Sequence, residues 1–180
     1  YEFIGNPFSL PIGAYVAWRY EVGLPVYDRL RGRTYNNLSI DIGASGDERF
    51  LGRGWAAREQ HPDFSFRWAD SESSTILIPL KTNVDDYLLE VEWGPFSAPG
   101  LPPQIVTIDV NGKPVTTLTL RPGVHVDRVT IPSTALRPNL NQLRFQYEYA
   151  VAPRDLGLSD DERHLAVQIS TLKLQRILKP

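Results

Sequence analysis

Cysteine is absent from the 180 residues. That excludes disulfide staples, thiolate metal sites and cysteine nucleophiles, although it leaves the compartment open. An excess of one charge is also missing, since 19 Lys and Arg stand against 21 Asp and Glu for a formal net charge of −2. No run of Lys or Arg forms a basic stripe, so nothing gathers a phosphate backbone and nucleic acid is not an expected partner. Long hydrophobic runs are lacking as well. The longest nearly uncharged stretch, residues 3–18, is broken by Pro7 and Pro11 and falls short of the roughly 20 apolar residues of a membrane-crossing helix. The chain opens at Tyr1 without a Met and without the charged and apolar regions of a signal peptide, which makes a mature or excised segment the expectation.

What is present is ordinary for one folded domain: 42% hydrophobic and 22% charged residues in a chain of domain size. From Tyr35 onward, short runs of β-branched and aromatic residues are bounded by Gly, Pro, Asn and Asp. Their spacing predicts strands at residues 37–42, 64–69, 75–80, 87–93, 104–110, 114–120, 126–131, 142–149 and 164–174, the pattern of an all-β antiparallel sandwich. In residues 88–93, Leu89, Val91 and Trp93 fall on one face, and Leu88, Glu90 and Glu92 on the other. Asn111-Gly112, set between two such runs, supplies the positive backbone angles of a tight hairpin. Pro-rich residues 93–103 and acidic residues 152–162 predict long exposed loops.

This divides the chain into an N-terminal arm, residues 1–33, and a sandwich domain, residues 34–180. The arm places Leu10, Ile12, Val16 and several aromatic residues close together. Phe3, Phe8, Tyr15 and Trp18 are its candidates for contact with a membrane interface, with a partner protein, or with the sandwich itself.

Few residues announce chemistry. Tryptophans can stack on the apolar C–H face of a sugar ring. Trp68 and Trp93 fall within strand patterns and are expected in the core, which leaves Trp55, in the glycine-rich stretch 52–55, as the ligand candidate. Glu59 and Arg67 are candidates to grip hydroxyls or to pair with each other, because a carboxylate accepts and a guanidinium donates in a fixed fork. Asp161 and Arg163 invite the same pairing. His61, His125 and His164 have no metal-type spacing, and no metal is expected. The acidic groups Asp47-Glu48, Asp85-Asp86 and Asp160-Asp161-Glu162 offer oxygen ligands for a structural calcium but lack the EF-hand pattern, so solvated loop charge is expected and no cofactor. Without a nucleophile elbow or a Ser-His-Asp arrangement, no catalytic residue is expected.

Certain residues also carry a family likeness: Gly54-Trp55 with Glu59, Arg67-Trp68, Asn111-Gly112, Ile131-Pro132 with Leu136, Asn139, Asn141 and Leu143, and Asp161-Glu162-Arg163. Their succession resembles a jelly-roll module of bacterial cell-envelope proteins, similar to galactose-binding-like domains of the carbohydrate-binding-module type. Such modules often follow the membrane part of glycosyltransferases. Residues 5–11, Arg19-Tyr20 and residues 27–30 look like the linker that joins a last membrane helix to such a module. The resemblance implies a non-catalytic, extracytoplasmic, membrane-associated domain whose partners are a membrane protein or complex and a glycan. The other reading is a bridging subunit of a membrane complex.

Overall fold

Each segment read as a strand is a strand in the computed structural model, which describes Leu30 and residues 33–178, and a further strand joins them. Along the described residues run β1 (Leu38–Asp41), β2 (Trp55–Gln60), β3 (Ser65–Ala69), β4 (Ser73–Leu80), β5 (Asp86–Pro95), β6 (Ile105–Val110), β7 (Lys113–Thr119), β8 (His125–Ile131), β9 (Asn139–Tyr147) and β10 (Val167–Ile177). Residues 1–29, with the arm candidates Phe3, Phe8, Tyr15 and Trp18, lie outside the described residues.

The strands form two antiparallel sheets. One has the order β2-β3-β10-β5-β8, with β1 also paired to β10, and the other has the order β4-β9-β6-β7. Their inner faces meet in a jelly-roll sandwich. Tyr87, Leu89, Val91 and Trp93 of β5 point inward and are fully buried, as their alternation requires. Across the interlayer the Trp93 ring meets Phe145 of β9 edge-on at 5.7 Å, a favoured aromatic geometry. The β6–β7 hairpin turns at Asn111 and Gly112 with φ of 55° and 78°, as a tight two-residue connection needs.

Several boundaries differ from the sequence reading. Residues 52–55 do not form a free loop. Arg53 accepts from Thr75 N through its carbonyl at 3.0 Å, and the chain enters β2 at Trp55. The polar run of β2 carries no alternation, so its strand character comes from the partner β3, against which Glu59 faces Phe66 and Gln60 faces Ser65. The crossing loop begins only after Pro95, because β10 extends β5 by pairing with it as far as that residue. Residues 152–162 contain a 3-10 turn, Pro153–Leu156, which closes at Gly157.

One buried ion pair decides how β3 faces. Arg67 points inward and donates from Nε to Asp47 Oδ2 at 2.7 Å and from Nη2 to Asp47 Oδ1 at 2.9 Å, a bidentate clasp. Its Nη1 donates to the carbonyl of Ala56 at 3.0 Å, and Gly43 N adds a second donor to Asp47 Oδ2. The hydrogen bonding to Asp47 outweighs desolvation and holds the guanidinium pKa above its ordinary value. Asp47 is thus a buried counter-ion rather than a solvated loop charge, with 3% of its surface exposed.

Removing one partner of such a pair strands the other charge. Asp47→Ala is expected to cost about 3 to 5 kcal/mol in urea unfolding, and pairing it with Arg67→Met to recover most of that loss.

Candidate ligand-binding face

With Arg67 and Ala69 turned inward, the pleat of β3 puts Phe66 and Trp68 on the outer face of the larger sheet, with Phe64 just ahead of them. This inverts the usual strand, which buries its aromatics and exposes its charge. The rings form a connected strip. His61 stacks on Phe64 at 4.6 Å, Phe64 meets Phe66 at 5.8 Å, Phe66 meets Trp68 edge-on at 6.3 Å, and Trp68 meets Phe96 edge-on at 6.2 Å. His61 is exposed and the other four are half-buried. Trp68, expected in the core, is instead the centre of this strip, whereas Trp93 is a core residue whose Nε1 donates to Asp127 at 2.8 Å.

Beside Trp68 across the pairing sits Gln168 of β10, and beyond Gln168 sits Gly94 of β5. A Cβ at Gly94 would lie 3.2 Å from Gln168 Nε2 and 3.2 Å from the carbonyl oxygen of Gly123. A glycine within a strand is costly unless another group must approach closely. Here it makes room for the Gln168 side chain. Among the described residues none hydrogen-bonds the half-buried Gln168 carboxamide, which leaves its donor and acceptor uncommitted next to the tryptophan.

On its other side the strip is bordered by charge. Glu59, opposite Phe66, accepts from Arg163 Nη1 at 2.6 Å, and Arg163 also donates to both oxygens of Asp161 at 2.7 to 3.2 Å. The carboxylate of Asp161, held chiefly by this side-chain hydrogen bonding, has its pKa lowered to about 2. At the hairpin end of the strip, Phe64 also lines a polar groove of about 620 Å³ with Asp41, Arg58, Glu59, Asp63 and Ser65.

The residues singled out in the sequence therefore part company. Glu59 borders the strip but pairs with Arg163, not with Arg67. Arg67 lies in the interior on Asp47. Trp55 is half-buried, packs against the core and donates from Nε1 to the carbonyl of Thr75 at 2.9 Å. Asp161 and Arg163 do pair, as expected. Asp85, like Asp47, is a buried partner rather than solvated charge, here for Arg176 at 2.6 Å. Among the described residues, no three His, Asp or Glu side chains gather as metal ligands. Phe64, Phe66, Phe96 and Gln168 were not singled out, although the alternation Phe-Ser-Phe-Arg-Trp was a visible signal that three aromatics share one face.

The fold is shared with solved structures of low sequence identity. It is similar to a family 35 carbohydrate binding module from Clostridium thermocellum, with a TM-score of 0.51 and 10% identity over 78% of this chain and 98% of that one. It is also similar to the ANXUR1 extracellular domain from Arabidopsis thaliana, with a TM-score of 0.50 and 16% identity over 78% of this chain and 42% of that one. At these identities the likeness is one of fold. No family model matches the chain, and no curated protein matches it.

The Asp161 carboxylate starts from an ordinary value of 3.8. A lowered pKa stabilises the folded state above the ordinary value, and that contribution disappears as pH falls through the lowered one. The Arg163 clasp is therefore expected to hold unchanged down to about pH 4 and to fail towards pH 2, read from the carboxyl ¹³C shift of Asp161.

Proposed function

We propose that this domain is a non-catalytic glycan-binding module whose binding surface is the aromatic strip centred on Trp68. The observation that carries the reading is the inverted strand: three aromatics faced outward beside a carboxamide with no hydrogen-bond partner among the described residues, on a fold shared with a carbohydrate-binding module. A pyranose presents an apolar C–H face and a rim of hydroxyls. The strip offers a matching apolar surface, and Gln168 and the Glu59–Arg163 edge offer polar groups beside it. The rings lie on regular strands rather than on a mobile loop, so little ordering is required on binding.

The setting we propose is extracytoplasmic, beside a membrane-bound envelope enzyme. The residues from Gly54-Trp55 to Asp161-Glu162-Arg163 that resemble envelope modules support it.

Affinity electrophoresis through gels containing soluble polysaccharides tests the binding surface. Retention of the native domain on at least one of them is expected. Trp68→Ala should weaken it about tenfold, the decade that about 1.4 kcal/mol represents, since burying a large apolar side chain is worth about 1.5 to 3 kcal/mol. Thr117→Ala, on the other sheet, should leave retention unchanged. Equal retention of Trp68→Ala and native protein would move the site elsewhere.

A further inference from the structure

The strip is longer than one sugar. Phe64, just ahead of β3, is followed by Phe66 and Trp68 along the strand, and Phe96 continues the row just past the end of β5, with centroid spacings of 5.8, 6.3 and 6.2 Å. A pyranose is about as wide as a phenyl ring, so a row of this length accommodates several sugar rings side by side.

Among the described residues, no wall closes the Phe64 end of the row. Beyond Phe64 lies the polar groove of Asp41, Arg58 and Asp63. At the other end the row stops at Phe96, which does not line the cleft of about 410 Å³ formed by its neighbours Pro95 and Ser97 with Leu101, Pro102, Thr119 and Pro122. A site that reads the tip of a glycan needs a pocket closed around one terminal ring. Among the described residues, this one is a row of rings that runs on into a groove at its Phe64 end.

The charges along the row oppose a polyanion. Arg163 is already clasped by Glu59 and Asp161, and Arg58 shares its groove with Asp41, Asp63 and Glu59. Carboxylates outnumber guanidiniums on this border, and like charges brought together there are disfavoured. Beside Trp68 the neutral carboxamide of Gln168 has no hydrogen-bond partner among the described residues; it donates and accepts at once and so suits two adjacent hydroxyls.

We propose, resting on the glycan-binding reading above, that the strip holds an internal stretch of an uncharged, extended polysaccharide, with Gln168 orienting the ring that lies on Trp68. Chain length then governs affinity, because each further sugar covers a further aromatic ring.

Two measurements on the native domain test this. In affinity gels, xylan, glucomannan, galactan, hydroxyethyl cellulose and polygalacturonate are compared. Calorimetry then follows oligosaccharides of one to six residues cut from whichever polysaccharide is retained. Retention by a neutral polysaccharide but not by polygalacturonate is expected, with affinity rising at least tenfold from one residue to four. His61→Ala and Phe96→Ala, at opposite ends of the strip, should each reduce that rise, whereas Thr117→Ala, on the other sheet, should leave it unchanged. A single sugar binding as tightly as four would overturn the internal-chain proposal and leave glycan binding standing. Retention by polygalacturonate alone would overturn the uncharged class. Retention by none of the five would remove the glycan reading and this proposal with it.

Discussion

The guanidinium of Arg67 lies inside the sandwich, clasped at 2.7 and 2.9 Å by a carboxylate that has no exposed side-chain surface of its own. Placing a charged pair there is expensive unless nearly every donor and acceptor is used. Here Ala56 O takes a third guanidinium hydrogen and Gly43 N supplies Asp47 with another donor. The same contacts tie the turn at residues 43–49 to β2 and β3. Because a strand alternates faces, fixing Arg67 inward fixes Phe66 and Trp68 outward. A local electrostatic arrangement on one face thereby determines what the other face presents to solvent.

That outer face keeps apolar area in water which folding could have buried. Such surface marks an interaction site when it is contiguous rather than scattered. The rings from His61 to Phe96 are contiguous. The polar border beside them is held from a distant part of the chain, since Arg163 reaches back across 104 residues to Glu59 while Asp161 orients it from two residues away. Ion pairs this exposed contribute little to stability. Their effect here is to hold polar groups beside the strip.

The strands were legible because each repeats in its own few residues: the alternation of Leu89, Val91 and Trp93, the Asn111-Gly112 turn, the apolar run of β4. β2 was not, since Trp-Ala-Ala-Arg-Glu-Gln has neither alternation nor β-branched residues and becomes a strand only because β3 pairs with it. Trp55 looked available for a ligand because glycines precede it, yet its indole N–H is taken by Thr75, 20 positions on. Glu59 was read as gripping hydroxyls or pairing with Arg67, and in the structure it pairs with Arg163. Gln168 gave no signal at all, because its significance lies in its neighbours Trp68 and Gly94, which come from two other strands.

Sequence by itself determined that the chain folds as an antiparallel sandwich and where most of its strands begin and end. These follow from backbone periodicity and turn chemistry, which are local. Which face of β3 is buried was decided only by tertiary structure. Period two is the same whichever way a strand is turned over, and the choice here rests on Asp47 meeting Arg67 in the interior, a contact between residues 20 apart that no local pattern contains.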